Sequence, residues 1–390
     1  MLKRFAVRAA VVYAFLYWLP TPLDSVPGLS EHVWNATEAA WRPAVEFAGK
    51  TLSLEVPEKH PSGSGDTLAN FLQVGVTAVL ALLLGAVWSL DKKRTRDEAV
   101  IDFTRDYLRL ALAATMLAYG LAKVFVQQFQ PFDEWTTFQT FGDASPMGLL
   151  WRFMGFSPTY ERFTGALEVF AGVLLMTRRT ATIGALVMSA VMTNVVMLNF
   201  CFDVPVKLGS SHLLLFALVL ALPDLPRLFA VFFTRRSVGP RDLTPRYAPG
   251  WGRFVFPVVI FLVLTGQVLQ SNTAEHWEPP SDAPLIGGYA VIGQKGDDVS
   301  WHFLQIAEGM VAFKRGAEAW KRAPMTIDVA AKTIVVRENT LHFEQGDGGL
   351  ALTGAWDGKD VELTLQRVEA KEQPLLTRGF NWVQEYPFNR

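Results

Sequence analysis

The apolar residues of this chain are concentrated in long runs, and this distribution limits the folds that it can adopt. Of its 390 residues, 50% are hydrophobic. A helix needs roughly 20 apolar residues to cross about 30 Å of hydrocarbon, and most of the runs reach that length. Seven runs are present, at about 4–20, 67–90, 106–126, 162–177, 180–199, 209–233 and 254–270. The sequence predicts a polytopic α-helical membrane protein with about seven transmembrane helices.

Lysine and arginine residues fall in alternate loops between these runs. They are frequent at the amino terminus, in 91–105, at the Arg178-Arg179 turn and in 235–253. Short loops that are rich in these residues stay in the cytoplasm. With seven spans, this predicts a cytoplasmic amino terminus and places residues 271–390 outside the cytoplasm.

Composition excludes several classes of function. The formal net charge of −1 gives no reason to expect a nucleic-acid partner. The single cysteine, Cys201, excludes an intramolecular disulfide and a CxxC redox pair. His60 and His212 are isolated in the sequence, so we predict no metal site.

From about residue 284 the sequence changes to short stretches in which apolar and polar residues alternate. Asp357-Gly358 separates two such stretches, and this dipeptide is a strong signal for a β-hairpin. Residues 299–307 and 332–339 have the composition of further strands. The sequence predicts a small C-terminal antiparallel β-barrel or sandwich in residues 284–390.

Several ionisable residues lie in or beside the apolar runs, where a charge is costly and therefore indicates function. Glu168 is six residues into the fourth run, roughly 9 Å deep, and needs a cationic partner or a proton. Lys123 is the nearest candidate in depth, and Asp203 and Lys207 adjoin the start of the sixth run. We predict that these four residues form one catalytic site in the outer half of the bundle.

Five further polar residues are candidate cofactor ligands: Arg109, Gln127, Asn194, Asn199 and His212. Each has an alternative explanation. Arg109 and Lys123 are near helix ends, where their charged groups can reach the membrane surface. Asn194 and Asn199 can join neighbouring helices by hydrogen bonds.

The helices between about residues 105 and 230 share a pattern of residues. Leu-Arg is followed by Gly and Lys at the helix end, then by Glu-x-x-Ala-Gly-x-Leu-Leu, and by Arg-Thr before a helix of small residues. In this pattern the chain resembles the DoxX/DoxD-like membrane family. The matching residues are Arg109, Gly120, Lys123, Glu168, Gly172, Arg179 and Thr180.

The resemblance implies a four-helix membrane bundle in the bacterial inner (cytoplasmic) membrane, with the C-terminal domain in the periplasm. Some DoxX-like proteins are associated with quinone-linked sulfur oxidation or redox complexes. The broader superfamily is taken to include the vitamin K-dependent carboxylase type, in which a membrane site handles a quinone-derived cofactor. The resemblance therefore implies a quinone or another isoprenoid ligand.

Four segments follow from these patterns. Residues 1–104 form two membrane helices with an extracytoplasmic loop, 105–233 the four-helix core, 234–283 a cytoplasmic loop with the seventh helix, and 284–390 the extracytoplasmic β domain.

Two functional hypotheses remain open, and with them whether the protein is an enzyme. It is either a subunit or partner of a quinone-linked oxidoreductase, or a non-enzymatic scaffold or assembly factor that docks an envelope protein through its β domain. The first hypothesis requires the polar site to line a cavity of roughly 300 Å3 or more. The second predicts a tightly paired polar cluster. A transporter is disfavoured because the sequence has no inverted repeats.

Overall fold

A computed structural model describes most of the chain and divides it into two compact units. The helical unit comprises residues 1–129 and 157–274, and the barrel unit comprises 130–156 and 275–390. The residues described are 2–21, 28–56, 63–91, 94–129, 141–239, 241–247, 285–296, 300–307, 309–316, 321–346 and 348–368.

Two of the helices begin where the local sequence provides a cap. Thr67 accepts a hydrogen bond from the backbone N–H of Asn70, and Ser157 accepts one from that of Tyr160, with Pro158 in the first turn. The described helices are α1 (Leu2–Trp18), α2 (Ser30–Thr51), α3 (Leu68–Trp88), α4 (Arg94–Val124), α5 (Pro146–Phe156), α6 (Pro158–Leu175), α7 (Ala181–Cys201), α8 (Lys207–Ala221) and α9 (Leu225–Thr234). Of these, α5 belongs to the barrel unit.

Four helical segments of the described chain are long and apolar enough to cross a membrane, so the chain has the helices of a membrane protein. They are Leu68–Trp88, Asp97–Val124, Ala181–Cys201 and Lys207–Thr234. The prediction of seven spans is not confirmed. Helix α1 has only 17 residues, α6 carries three charged side chains, and the run at 254–270 lies outside the described residues.

Four helices of the helical unit form a closed arrangement around one core. Helix α4 packs against α6, α6 against α7, α7 against α8, and α8 against α4. Leu112, Met116, Leu175, Met188 and Phe216 are buried in this core. Helix α1 packs against α3 and α4. The four helices of the ring are those that the sequence assigned to the four-helix core.

Two glycines allow α4 and α6 to approach closely. A Cβ atom on Gly120 would lie 2.8 Å from the backbone nitrogen of Val169, and one on Gly165 would lie 2.6 Å from the carbonyl oxygen of Gly120. Small residues at a helix crossing permit such contact between backbones. Lys123 and Glu168 each lie three residues beyond these glycines, so the crossing brings their side chains together.

The C-terminal strands form a closed antiparallel barrel, which confirms the barrel alternative of the prediction. Each strand pairs with the next, and β8 pairs with β1. Asp357 and Gly358 have positive φ angles at the β7–β8 turn, as a tight hairpin requires. The strands are β1 (Gly287–Gly296), β2 (Trp301–Ala307), β3 (Met310–Arg315), β4 (Lys321–Asp328), β5 (Thr333–Val336), β6 (Asn339–Gly346), β7 (Gly349–Trp356) and β8 (Lys359–Val368).

Side chains occupy the inside of this barrel. Alternate residues of each strand point inward, and they form one buried apolar cluster. Trp301, Phe313 and Trp356 pack against one another within it, with ring centroids 4.9–5.4 Å apart. The barrel therefore has an apolar core of its own.

Candidate functional site

Lys123 and Glu168 form a buried ion pair between α4 and α6. The Lys123 Nζ atom is 2.8 Å from Oε1 and 2.7 Å from Oε2 of Glu168. The two side chains are only 9% and 4% exposed. The lysine therefore supplies hydrogen bonds to both carboxylate oxygens of the glutamate, in the pairing that the estimated depths of the two residues predicted.

Glu161 is a buried carboxylate that the sequence analysis missed. It lies seven residues before Glu168, which is two helical turns, so both side chains are on the same face of α6. Its Oε1 atom accepts a hydrogen bond from the backbone N–H of Phe129 at 3.2 Å. Its Oε2 atom is buried and has no hydrogen-bond partner among the described residues. The spacing of seven was the signal that could have identified it.

Lys207 and Asp203 form a second ion pair, at the start of α8. The Lys207 Nζ atom is 2.7 Å from Oδ1 of Asp203, whose side chain is 81% exposed. Asp66, which the sequence analysis also missed, accepts hydrogen bonds from the backbone N–H groups of Lys207 and Leu208, each at 2.9 Å. Asp66 therefore caps the N-terminus of α8 from a distant part of the chain.

Asn199 and His212 each join neighbouring helices. The Asn199 Nδ2 atom donates to Oγ of Ser210 at 2.9 Å, between α7 and α8. His212 on α8 faces α1, where its Nε2 atom is 2.7 Å from the hydroxyl oxygen of Tyr13. The ring of Tyr17 stacks on the imidazole at a centroid distance of 4.2 Å.

No hydrogen bond or ion pair among the described residues joins Arg109 or Asn194 to the Lys123–Glu168 pair. Arg109 is 14 residues before Lys123 on α4, about 21 Å along the helix, and it donates to the carbonyl oxygen of Leu175 at 2.6 Å. Asn194 is exposed on α7. Gln127 is half-buried after the end of α4.

The predicted site residues therefore fall into several separate groups. Within the described part of the chain, no hydrogen bond or ion pair joins Lys123 and Glu168 to Asp203 and Lys207. Two cavities of about 50 and 90 Å3 are lined by neither pair. No group of three or more potential ligands among the described residues could hold a metal ion.

Another polar network, at the Arg109 end of α4, is centred on Arg178. Its guanidinium group is 2.8 Å from Asp102 and 2.5 Å from Asp106. Burial alone would lower the pKa of Arg178, but its bonds to these two carboxylates raise the pKa overall. The hydroxyl group of Tyr247 donates to Asp106 at 2.5 Å. Burial raises the pKa of Tyr247, and this hydrogen bond raises it further.

Comparison with known proteins shows similarity to a curated protein, but not to a family model or a solved structure. No family model matches the chain, and no solved structure matches it significantly. Among curated proteins, the chain is similar to uncharacterized protein YwoB of Bacillus subtilis (strain 168). The two are 36% identical over 138 residues, which make up 35% of this chain and 87% of YwoB.

Proposed function

We propose that this chain, which belongs to the same protein family as YwoB, is a non-enzymatic membrane scaffold with a DoxX-like core. The relative's name gives no activity, so the proposal depends on the geometry of the polar residues. In this proposal the helical unit is the membrane anchor, and the barrel docks an envelope protein.

The observation that carries this proposal is the mutual pairing of Lys123 and Glu168. A catalytic carboxylate needs an oxygen that is free to reach substrate, whereas both Glu168 oxygens accept hydrogen bonds from Lys123. The pair also lies beside the close Gly120–Gly165 crossing. These contacts support a structural role in which the pair holds α4 against α6.

The membrane topology is part of the same proposal. We place seven spans in the inner membrane of a bacterium, with the amino terminus in the cytoplasm and the barrel in the periplasm. The alternation of cationic loops supports this orientation. Apolar side chains on the barrel surface support docking, and among those described Ile292 and Val329 are 62% and 55% exposed.

A second candidate function is partnership with a quinone-linked oxidoreductase. The specific observation in its favour is the buried Oε2 atom of Glu161, which has no hydrogen-bond donor among the described residues. The hydroxyl group of a reduced quinone is such a donor, and its oxidation releases protons that a carboxylate can accept. The backbone N–H groups of Phe129 and Gln128 act on the Glu161 carboxylate, and so, more weakly, do the charges of Lys123 and Arg162.

One experiment separates the two candidates. The full chain is purified in mild detergent as wild type, Glu161→Gln, Glu168→Gln and Glu46→Gln. Bound lipids are then identified by extraction and native mass spectrometry, and thermal unfolding is recorded. Glu46 is the control because its ion pair with Arg42 is exposed, and exposed pairs contribute little to stability.

The scaffold proposal predicts no stoichiometric quinone in the wild type and a clear loss of stability in Glu168→Gln alone. Removal of one partner from a buried pair typically costs about 3–5 kcal/mol. A stoichiometric quinone in the wild type that is lost in Glu161→Gln, with unfolding unchanged, would instead establish the redox candidate.

A further inference from the structure

A polar cavity of about 50 Å3 lies at the Arg178 end of the helical unit. Four arginines contribute to its lining, Arg105, Arg109, Arg178 and Arg241, together with the first residues of α7. A cavity needs a volume of about 10–15 Å3 to hold one water molecule. The cavity therefore has room for roughly four water molecules, which is close to the size of a phosphate group.

Three of these arginines already have carboxylate partners. Arg178 binds Asp102 and Asp106, and Arg109 lies 3.2 Å from Asp106. Arg241 is the third, with its Nη1 atom 2.5 Å from Oδ2 of Asp224. Their charges are thus largely balanced within the protein.

Arg105 is the exception. This half-buried residue forms no hydrogen bond or ion pair with any residue that the structure describes, although charged neighbours surround it. The groups that act on it electrostatically include Arg241, Asp224, Asp102 and Arg178, two cations and two anions. All four are engaged in the pairs above. A guanidinium group has five N–H donors, and those of Arg105 have no acceptor among the described residues.

We propose that this cavity binds the phosphate group of an anionic ligand, with Arg105 as its principal donor. The source is an anionic phospholipid headgroup or free phosphate. Basic pockets between membrane helices bind anionic headgroups, and the N-terminus of α7 adds a favourable dipole. Three carboxylates also line the cavity: Asp102 and Asp106, which are paired with arginines, and Asp242. The Oδ1 atom of Asp242 accepts a hydrogen bond from the backbone N–H of Thr244, and its charge opposes an anion.

The test uses the full chain in detergent as wild type, Arg105→Gln, Asp242→Asn and Arg236→Gln. Arg236 is an exposed arginine that does not line the cavity and is the matched control. Each protein is incubated with equimolar phosphatidylglycerol and phosphatidylcholine, and retained lipid is counted by native mass spectrometry. Thermal unfolding is then recorded in inorganic phosphate and in chloride at equal ionic strength.

For a lipid headgroup, the wild type and Arg236→Gln retain phosphatidylglycerol in preference to phosphatidylcholine. The amount of retained phosphatidylglycerol falls about tenfold in Arg105→Gln, as expected for the loss of one charge-assisted hydrogen-bonding group. It rises in Asp242→Asn, because a negative charge has been removed. For free phosphate, no lipid is retained, and phosphate raises the unfolding temperature of the wild type but not that of Arg105→Gln.

The proposal is overturned if Arg105→Gln matches the wild type in both measurements. It is also overturned if Arg236→Gln loses as much as Arg105→Gln, because the effect would then come from overall charge. A loss of folding in Arg105→Gln would be visible as a lower unfolding temperature in chloride. In that case Asp242→Asn decides the question. If this variant retains no more phosphatidylglycerol than the wild type, the proposal is overturned.

Discussion

The hydroxyl oxygen of Tyr13 lies 2.7 Å from Nε2 of His212 and joins α1 to α8 across 199 positions of the sequence. The other ring nitrogen, Nδ1, lies 2.8 Å from the carbonyl oxygen of Leu208, which can only accept. Nδ1 therefore carries the proton, and Nε2 accepts from the tyrosine. His212, predicted as a cofactor ligand, is bonded through both ring nitrogens to other parts of the protein.

Tyr13→Phe removes this bond and leaves Nε2 of a partly buried imidazole without a donor. We expect a loss of roughly 1–3 kcal/mol in the free energy of unfolding. Thermal or denaturant unfolding of the full chain in detergent measures it. Tyr119→Phe, at a position that is 52% exposed, controls for the loss of a hydroxyl group. Equal stability of the two variants would contradict the prediction.

Gly165→Ala tests the close approach of α4 and α6. The added Cβ would lie 2.6 Å from the carbonyl oxygen of Gly120, so the helices must separate. We expect a destabilisation of about 1–3 kcal/mol, typical of overpacking. Gly75→Ala on α3 is the matched control, because nothing lies within 4 Å of its Cβ position. The control should be neutral or slightly stabilising. Similar behaviour of the two alanine variants would rule out a tight crossing.

Asp66→Ala removes the cap of α8. Loss of a helix cap costs about 0.5–2 kcal/mol, and the free energy of unfolding should fall by that amount. Asp203→Asn is the comparison, since Asp203 also pairs with Lys207 but is 81% exposed, and asparagine tolerates its backbone φ of 51°. Such a pair contributes about 0–1 kcal/mol at most. A larger effect at Asp203 than at Asp66 would show that the surface pair matters more.

Tyr247 gives the Arg178 network a dependence on alkaline pH. Its pKa is raised in the folded state by burial and by Asp106. The raised pKa contributes stability that is present below the unfolded-state value near 10 and is lost as pH rises through the folded-state value. Tyr247→Phe should flatten the decline of unfolding temperature above that pH. An unchanged alkaline decline in the variant would exclude Tyr247 as its source.

The sequence predicted those features that depend on local pattern. Runs of apolar residues located the four spans, and alternation with Asp357-Gly358 located the barrel and one of its hairpins. The Lys123–Glu168 contact was also predictable, because depth in a membrane helix follows directly from position in the sequence.

The features that it did not predict depend on the lateral arrangement of helices. Asp66 reaches the start of α8 across 141 positions, and Tyr13 reaches His212 across 199. The local periodicity of a sequence does not determine which helices are neighbours. Polar residues of similar depth were therefore grouped into one site, although the structure distributes their bonds among different helix pairs.

Closure of the barrel restricts how any partner can recognise it. Gly288 of β1 is paired with Val368 of β8, so the first and last strands complete the hydrogen bonding of the sheet. A closed sheet has no unpaired edge for an additional strand. A docking protein must therefore bind the side chains and turns on the outside of the barrel. A peptide cannot bind by adding a strand to this sheet.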